Sequence, residues 1–217
     1  MLNLVLISDT HGLHDQLQLP PGDVILHAGD VSSRGTEKEI MKFLDWFGNL
    51  DYQHKVFIAG NHDFFFENNT PEEIAKIIPP NITYLNDSGT EIAGVKIWGS
   101  PITPWFFDWA FNRQRGAEIK KHWDLIPDDT DLLITHGPAH GILDKTTTGV
   151  AAGCEELLKK IEGSTIKLHL SGHIHEGYGE RIVNGVRYIN ASVLDVRYRQ
   201  VNAPVTLAFD PMTKNIL

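Results

Sequence analysis

Five short, mainly apolar runs, each followed by polar residues, constrain the fold of this chain most. They cover residues 4–7, 23–28, 55–59, 131–135 and 165–170. Apolar runs of this length are typical of strands that are buried on both faces, as in a parallel sheet covered by helices. The pattern therefore predicts an α/β fold in which several strands end in polar corners.

The segments between these runs indicate helices. Residues 36–50 are predicted to be helical, because Thr36 and Glu39 have capping-box spacing and apolar residues follow along one face. A second helix is predicted to begin at Thr70 and Pro71 and to end before Pro79. Two further helices are predicted over residues 113–123 and 153–161.

The second half of the chain also indicates short strands. They are predicted within 82–98, with breaks at 87–89 and 93–94, around the hairpin turn Asn184-Gly185, and over 205–209. Residues 100–111, rich in aromatic side chains and prolines, are predicted to form a long ordered loop. The chain has no internal repeat, low-complexity stretch or linker, so we predict one domain, residues 1–217, with two sheet-bearing halves.

The net charge limits the partners of this chain. With 19 basic and 28 acidic residues its formal charge is -9, which argues against an extended nucleic-acid surface that relies on basic side chains. An anionic substrate would therefore need bound cations. No apolar run approaches the ~20 residues of a membrane span. The single cysteine, Cys154, cannot form an intrachain disulfide, which is compatible with a reducing compartment, and we predict a cytoplasmic location.

Side chains that can bind a metal follow the five runs. They are Asp9, His11, Asp30, Asn61, His136, His173 and His175. Because the carboxyl ends of parallel strands lie along one sheet edge, we expect these side chains to converge there. In an extended chain, the i, i+2 spacing of Asp9 with His11, and of His173 with His175, would point each pair toward one side.

The types of ligand indicate two metal ions. Carboxylate, imidazole and one amide oxygen, without thiolate, suit Mn, Fe, Zn or Co better than a structural zinc or a calcium site. Seven ligands exceed the needs of one tetrahedral ion but suit two ions that share a carboxylate. Two ions roughly 3.5–4 Å apart form a clamp for in-line displacement at phosphorus. In Asn61-His62-Asp63, His62 can also transfer a proton; an ordinary turn is the alternative for this motif taken alone.

The complete set of motifs resembles the calcineurin-like metallophosphoesterase superfamily. The motifs, which occur in the expected order, are Asp9-x-His11, Gly29-Asp30, Gly60-Asn61-His62-Asp63, His136-Gly137 and Gly172-His173-x-His175. The segments 98–106, 135–138, 175–179 and 189–192 also resemble the metallophosphoesterase domain-containing subgroup, whose animal members are related phosphodiesterases. Some of those members carry glycine in place of His173, so His173 implies a complete second metal site here.

The resemblance implies a two-sheet αββα sandwich and a role for each motif residue. The first metal would bind Asp9, His11, Asp30 and His175, and the second Asp30, Asn61, His136 and His173. His62 would stay off the metals and protonate the leaving oxygen or stabilise the transition state, with Asp63 fixing its orientation. Mn and Fe are the favoured metals, and Zn and Co are the alternatives.

These expectations together predict a phosphodiesterase. It would hydrolyse small nucleotide phosphodiesters, such as cyclic nucleotides, through a metal-bridging hydroxide. Candidate substrate contacts are Arg34 for phosphate, Trp105 or Phe106 for stacking on a base, and His140. The alternatives are a phosphomonoesterase or nuclease of the same fold, and a non-catalytic metal-binding interaction module such as the retromer subunit of this fold. The presence of all seven ligands and His62 favours an enzyme.

Overall fold

The computed structural model describes residues 1–217, and the N-terminal runs form its first β-sheet. The strands of this sheet are β1 (Leu2–Ile7), β2 (Val24–His27), β3 (His54–Ile58), β4 (Thr83–Leu85) and β13 (Val205–Phe209). Their order is β13-β1-β2-β3-β4. β1 to β4 pair in parallel and β13 is antiparallel to β1. The three N-terminal runs are therefore neighbouring parallel strands, as predicted.

The second sheet contains the later runs. Its strands are β5 (Ser88–Ile92), β6 (Val95–Ser100), β9 (Leu132–Thr135), β10 (Leu168–Ser171), β11 (Gly179–Val183) and β12 (Val186–Asn190), in the order β11-β12-β10-β9-β6-β5. The four central strands are parallel, and an antiparallel hairpin lies at each edge. Asn184 and Gly185, with φ of 50° and 80°, form the turn between β11 and β12, as their sequence predicts.

Five α-helices cover the sheets. They are α1 (Glu37–Gly48), α2 (Phe64–Asn68), α3 (Pro71–Ile77), α4 (Ala117–Trp123) and α5 (Glu155–Glu162). Both predicted helix starts are confirmed, since Thr36 with Glu39 and Thr70 with Glu73 form complete capping boxes. None of the helices combines the length and the apolar character that crossing a membrane requires.

The two faces of the strands contribute to different layers. Leu4, Leu6, Leu26 and Ile58 belong to a cluster of 20 buried residues that also includes side chains of the second sheet, so the sheets pack face to face. The alternate residues of the first sheet join a cluster of 31 buried residues that includes the apolar faces of α1, α4 and α5. The layers form the predicted αββα sandwich.

Three local predictions differ from the structure. The predicted loop 100–111 begins a two-strand ribbon, in which β7 (Thr103–Pro104) pairs with β8 (Asn112–Arg113). The helix predicted from residue 113 begins only at Ala117, because Arg113 belongs to the ribbon and Gly116 has a φ of 82°. Gly89 lies inside β5 and not at a break between two strands, because its pairing with β6 extends β5 to include it.

Candidate metal centre

The predicted ligands converge where both sheets present the carboxyl ends of their strands. Asp9 and His11 follow β1, Asp30 follows β2 and Asn61 follows β3, all in the first sheet; His136 follows β9, and His173 and His175 follow β10 in the second. The expectation of a single sheet edge is therefore corrected to two. A parallel bridge between Ser8 and Ser192 joins the sheets at this point.

Tight turns, and not extended chain, bring the paired ligands together. The φ angles are 56° at Asp9, 42° at His11 and 66° at His173, so the predicted i, i+2 alternation is wrong. Residues other than glycine seldom adopt this left-handed backbone, and such conformations cluster at functional sites. The N–H groups of Asp9 and His11 donate to the carbonyl oxygens of Gly29 and Asp30 at 2.9 Å, which stabilises these turns.

One group of ligand atoms joins both sheets around His11. His11 Nε2 lies 3.4 Å from His175 Nε2 and 3.5 Å from Asp30 Oδ2. His175 Nε2 in turn lies 3.5 Å from Asp9 Oδ1. The ligand atoms of Asp9, His11 and His175 all lie within 4.8 Å of one another, which is a geometry that could hold a metal ion.

A second group forms around His136. Its Nε2 lies 2.9 Å from Asn61 Oδ1 and 3.3 Å from Asp30 Oδ2. The ring of His173 lies 5.0 Å from that of His136, measured between centroids. The same Asp30 oxygen therefore faces His11 of the first group and His136 of the second, which is the arrangement that a shared carboxylate needs.

Neighbouring groups fix the orientation of these ligands. His136 Nδ1 donates to Ala28 O at 2.8 Å and His175 Nδ1 donates to Asp195 O at 3.0 Å. A carbonyl oxygen only accepts, so the proton of each neutral imidazole is placed on Nδ1 and Nε2 is left as a ligand. Asp9 Oδ2 accepts a hydrogen bond from Ser192 Oγ at 2.7 Å.

The surroundings of the ligands fit a pair of divalent ions. A Cβ atom on Gly60 would lie 2.3 Å from Asp30 Oδ1, and one on Gly172 would lie 2.2 Å from Asp9 Oδ2. Only glycine therefore lets the backbone approach these carboxylates. Asp9, Asp30 and His136 are each at most 2 % exposed. Carboxylates and imidazoles that are buried this close together are stable when they pair with one another or bind a metal.

The pKa values of the candidate ligands indicate which of these groups carry a proton when no metal is bound. Burial alone would lower the pKa of His136 and His175, but the charge of Asp30 near His136 and the hydrogen bond between His175 and Asp9 raise both to about 9. Burial alone would raise the pKa of Asp9, yet His175 and neighbouring imidazoles hold it well below its usual range. Asp9 therefore stays ionised, and a metal would displace protons from His136 and His175.

His62 is positioned beside the ligands but is oriented differently from the prediction. Its ring Nδ1 donates to Ser33 O at 2.8 Å, and its backbone N–H donates to Asp30 Oδ1 at 2.8 Å. Asp63 does not contact the His62 ring, because both its oxygens accept other hydrogen bonds, from the N–H groups of Val31, Ser32 and Gly60 and from Ser32 Oγ. Asp63 therefore holds the backbone of this corner together, and Ser33 orients His62.

The cleft above these groups has a volume of about 280 Å³ and an aromatic rim. Phe106, Trp109 and Tyr198 line it. The Trp109 ring lies 4.3 Å from that of His62, and the Phe106 ring lies 5.1 Å from that of His173. The density of aromatic residues in segment 105–111 could have indicated Trp109, whereas no motif marked Tyr198.

The other predicted substrate contacts lie away from this cleft. Arg34, Trp105 and His140 are not among its lining residues. Trp105 directly follows β7, within the connection between β7 and β8, and is half-exposed. His140 Nδ1 instead lies 3.7 Å from Glu155 Oε1.

Two further histidines are buried and hydrogen-bonded within the strands. His27 Nδ1 accepts from the N–H of Gly29, so its Nε2–H donates to Thr10 Oγ1 at 3.0 Å. His169 Nε2 lies 2.7 Å from Thr135 Oγ1. Both therefore brace strands that lead directly into ligand-bearing turns.

Fold and cleft together are those of a metal-binding α/β sandwich. A family model described as calcineurin-like phosphoesterase matches residues 2–177, and the chain belongs to this family. Membership makes it a metal-dependent phosphoester hydrolase with a dinuclear divalent metal site. The structure contains three candidate ligand clusters for it, Asp9 with His11 and His175, His11 with Asp30 and His62, and Asp9 with Asp30 and His136.

Relatives place the chain in one subgroup. Metallophosphoesterase domain-containing protein 1 of Homo sapiens is 39% identical over 226 residues, covering 94% of this chain and 69% of that protein. UPF0046 protein T07D4.2 of Caenorhabditis elegans is 35% identical, covering 94% of this chain and 59% of that protein. TT1561 of Thermus thermophilus shares the fold, with a TM-score of 0.60 at 12% identity, covering 100% of this chain and 97% of that one. The predicted metallophosphoesterase domain-containing subgroup is therefore confirmed.

Proposed function

We propose that this chain is a phosphodiesterase that hydrolyses small nucleotide phosphodiesters such as cyclic nucleotides. The observation that carries the proposal is the position of His62, next to both ligand groups and in ring contact with Trp109. A proton donor and an aromatic surface thus lie on one side of the phosphate position. This arrangement suits an ester whose leaving oxygen needs a proton and whose base can stack.

Two divalent ions would use the seven ligands. Asp9, His11, Asp30 and His175 would hold one ion, and Asp30, Asn61, His136 and His173 the other. The contacts of Asp30 Oδ2 with both His11 and His136 support its role as the shared ligand. Mn and Fe suit this mixture of imidazole and carboxylate best, with Zn and Co as alternatives. When bound, the ions supply positive charge for the phosphoryl oxygens and lower the pKa of water.

The hydrogen bond to Ser33 defines how His62 acts. Because Ser33 O can only accept, the Nδ1 proton is fixed and Nε2 is the ring nitrogen left to interact with a substrate. In the charged imidazolium, Nε2–H can donate to the leaving oxygen. Asp63 contributes by fixing the turn that carries His62, through its hydrogen bonds to Val31, Ser32 and Gly60.

The charge of the cleft favours a diester over a monoester. Its lining residues include no lysine or arginine. A monoester carries about two negative charges near pH 7 and would gain from basic side chains. A diester carries one negative charge and is satisfied by the cations alone. The aromatic rim suits the second organic group that only a diester has.

We further propose that residues 1–217 act as one domain in the cytoplasm. The buried cluster shared by both sheets supports one domain, because neither half has a separate core. Cys154 is the single cysteine and is buried, so the fold uses no intrachain disulfide, which is compatible with a reducing compartment.

Parallel turnover assays of the Mn-loaded protein test the proposed activity. The substrates are bis-p-nitrophenyl phosphate, p-nitrophenyl phosphate, cyclic nucleotides and single-stranded DNA. We expect kcat/KM to be about tenfold or more higher for the small diesters than for the monoester, equivalent to about 1.4 kcal/mol. A dominant monoester rate would overturn the diester proposal, and a dominant DNA rate would indicate a nuclease. If metal-loaded wild type and His62→Ala were equally inactive on all four, an interaction module would be favoured.

A further inference from the structure

We propose that Tyr198 binds the non-leaving ester group of the substrate and thereby selects phosphodiesters; this inference rests on the phosphodiesterase activity proposed above. Tyr198 lies beyond residues 2–177, which match the family model, and belongs to none of the ligand motifs. Its ring nevertheless lines the same cleft as His62 and Trp109.

The aromatic rings of the cleft place Tyr198 away from the proton donor. The Tyr198 ring lies 4.8 Å from that of His11, at 77°, and 5.6 Å from that of His175, at 70°. The His62 ring lies 4.6 Å from that of His11 and 4.3 Å from that of Trp109. His11 contacts both His62 and Tyr198, whereas the Tyr198 ring makes no contact with the rings of His62 or Trp109. The cleft therefore has a His62–Trp109 part and a Tyr198 part.

These two sides match the two organic groups of a diester. If His62 protonates the leaving oxygen, the leaving group lies on the side of Trp109. The second ester group must then leave the phosphorus in another direction. Phe106 and Tyr198 are the rim aromatic side chains whose rings do not contact His62, and of these Tyr198 is the one that packs on His11 and His175. A monoester has no such group, so contact with Tyr198 adds free energy of binding only for diesters.

The loop around Tyr198 holds its ring in place before any ligand binds. The φ of Tyr198 is 56°, an unusual conformation for a bulky residue and one that is found at functional sites. Tyr198 N donates to Asp195 O at 2.8 Å, and the Asp195 carboxylate accepts from Arg197 N and from the Arg199 guanidinium. Asp195 O also accepts from His175 Nδ1. One backbone carbonyl therefore orients both a metal-ligand imidazole and Tyr198.

The outer surface of Tyr198 is free to contact a ligand. The residue is 48% exposed, and its side chain meets the two ligand imidazoles, those of His11 and His175, through the ring. The ring stands roughly perpendicular to both imidazoles, at 77° and 70°, and about half of the residue remains exposed. We therefore assign the ring, and not the hydroxyl, as the contact with the second ester group.

Three p-nitrophenyl substrates test this assignment, because they share a leaving group and differ only in the second group. They are phenyl p-nitrophenyl phosphate, methyl p-nitrophenyl phosphate and the monoester p-nitrophenyl phosphate. We expect Tyr198→Leu to lower kcat/KM for the phenyl ester about tenfold, and to change kcat/KM for the methyl ester and the monoester by less than about twofold. Tyr198→Phe should keep the wild-type ratio of kcat/KM between the phenyl and methyl esters. Val201→Ala, an exposed position of the same loop outside the cleft, is the matched control and should behave as wild type.

A binding measurement separates the role of Tyr198 from the activity itself. Diphenylphosphinate and dimethylphosphinate mimic diesters but contain no ester bond, so calorimetry can measure their Kd on the Mn-loaded protein. We expect Tyr198→Leu to weaken only diphenylphosphinate, about tenfold. If wild type cleaved no ester, the proposed activity would fail, and these Kd values would decide the role of Tyr198 alone. If wild type cleaved diesters but Tyr198→Leu kept the phenyl-to-methyl ratio, or lowered all three rates equally, the assignment would be overturned.

Discussion

Single hydrogen bonds decide what each histidine of this protein can do. His62, His136 and His175 all donate Nδ1–H to a backbone carbonyl, so Nε2 is the nitrogen without a proton in each neutral ring. His136 and His175 present that atom to carboxylates, whereas His62 presents it beside the aromatic rim. That tautomer suits a metal ligand at His136 and His175, whereas His62 would act as a proton donor only when its ring also carries a proton on Nε2.

His62→Ala should lower kcat for a cyclic nucleotide, whose alkoxide leaving oxygen needs a proton, by roughly 10²–10³-fold, because it removes the proton donor and leaves the ligands in place. The KM should change little. Metal analysis of the purified variant is the control, and the metal content should equal that of wild type. Loss of metal together with activity would indicate that His62 is itself a ligand.

His169 should make the folded state sensitive to acid. Burial lowers its pKa to about 3 from 6.5, so between these values the unfolded chain binds a proton that the folded chain does not. The free energy of unfolding then falls as the pH falls, and a single such group contributes about 1 kcal/mol between pH 6 and pH 5. Urea unfolding in EDTA should show a decline that is smaller by about this amount in His169→Gln. A His169 ring that titrates near its unperturbed pKa by NMR would contradict this prediction.

At the scale of elements, the start of α1 is connected to the cleft. Glu39 closes the capping box with Thr36 and also accepts a hydrogen bond from Ser33 N at 3.3 Å. Ser33 O is the group that orients His62. The equivalent box at the start of α3, formed by Thr70 and Glu73, has no such connection to His62. The chain thus contains two matched caps, one near the cleft and one away from it.

Glu39→Ala and Glu73→Ala should each destabilise the protein by about 1 kcal/mol, since each removes half of a capping box. Only Glu39→Ala should also lower kcat, about threefold, because Ser33 loses one of its anchors and His62 is held less firmly. Thermal unfolding and steady-state kinetics on both variants test this difference. Equal kcat values in the two variants would show that the cap of α1 does not influence His62.

At the scale of the whole molecule, the cleft lies between two sheets that meet at their carboxyl ends. The first sheet contributes the candidate ligands Asp9, His11, Asp30 and Asn61, and the second contributes the remaining candidates. Gly172 N donates to His136 O at 3.0 Å, and Val193 N donates to Ser8 O at 3.0 Å, so the ligand-bearing turns also bond to each other. Bound cations would cross-link the sheets at the place where buried charges are most concentrated.

Removal of metal should therefore lower the melting temperature. With free Mn at about 100 times its Kd, the stabilisation is about 2.7 kcal/mol, which for a chain of this size corresponds to roughly 5–10 °C. Thermal unfolding with EDTA and then with excess Mn measures this shift. Asp30→Asn should lose most of the Mn-induced shift, and His140→Ala, outside the cleft, should retain it. A full shift in Asp30→Asn would exclude Asp30 as the shared ligand.

Much of the fold was predictable because its signals are local. The apolar runs became neighbouring strands, and the capping boxes at Thr36 and Thr70 began helices as expected. The ribbon of Thr103–Pro104 with Asn112–Arg113 was not predictable, because its strands are too short to show periodicity. Asp63 was assigned to His62 because they are adjacent in sequence, yet its partners include Val31 and Ser32, which lie 32 and 31 positions earlier.

The sequence by itself determined the ligand types, their order and the strands that carry them, since these follow from residue chemistry and local hydrophobic patterns. Only the tertiary structure decided that two sheets supply the ligands, that left-handed turns aim Asp9, His11 and His173, and that Tyr198 joins the cleft. The physical reason is distance along the chain. Contacts such as Ser192 with Asp9, 183 positions apart, form only when the packed core brings the ends of the strands together.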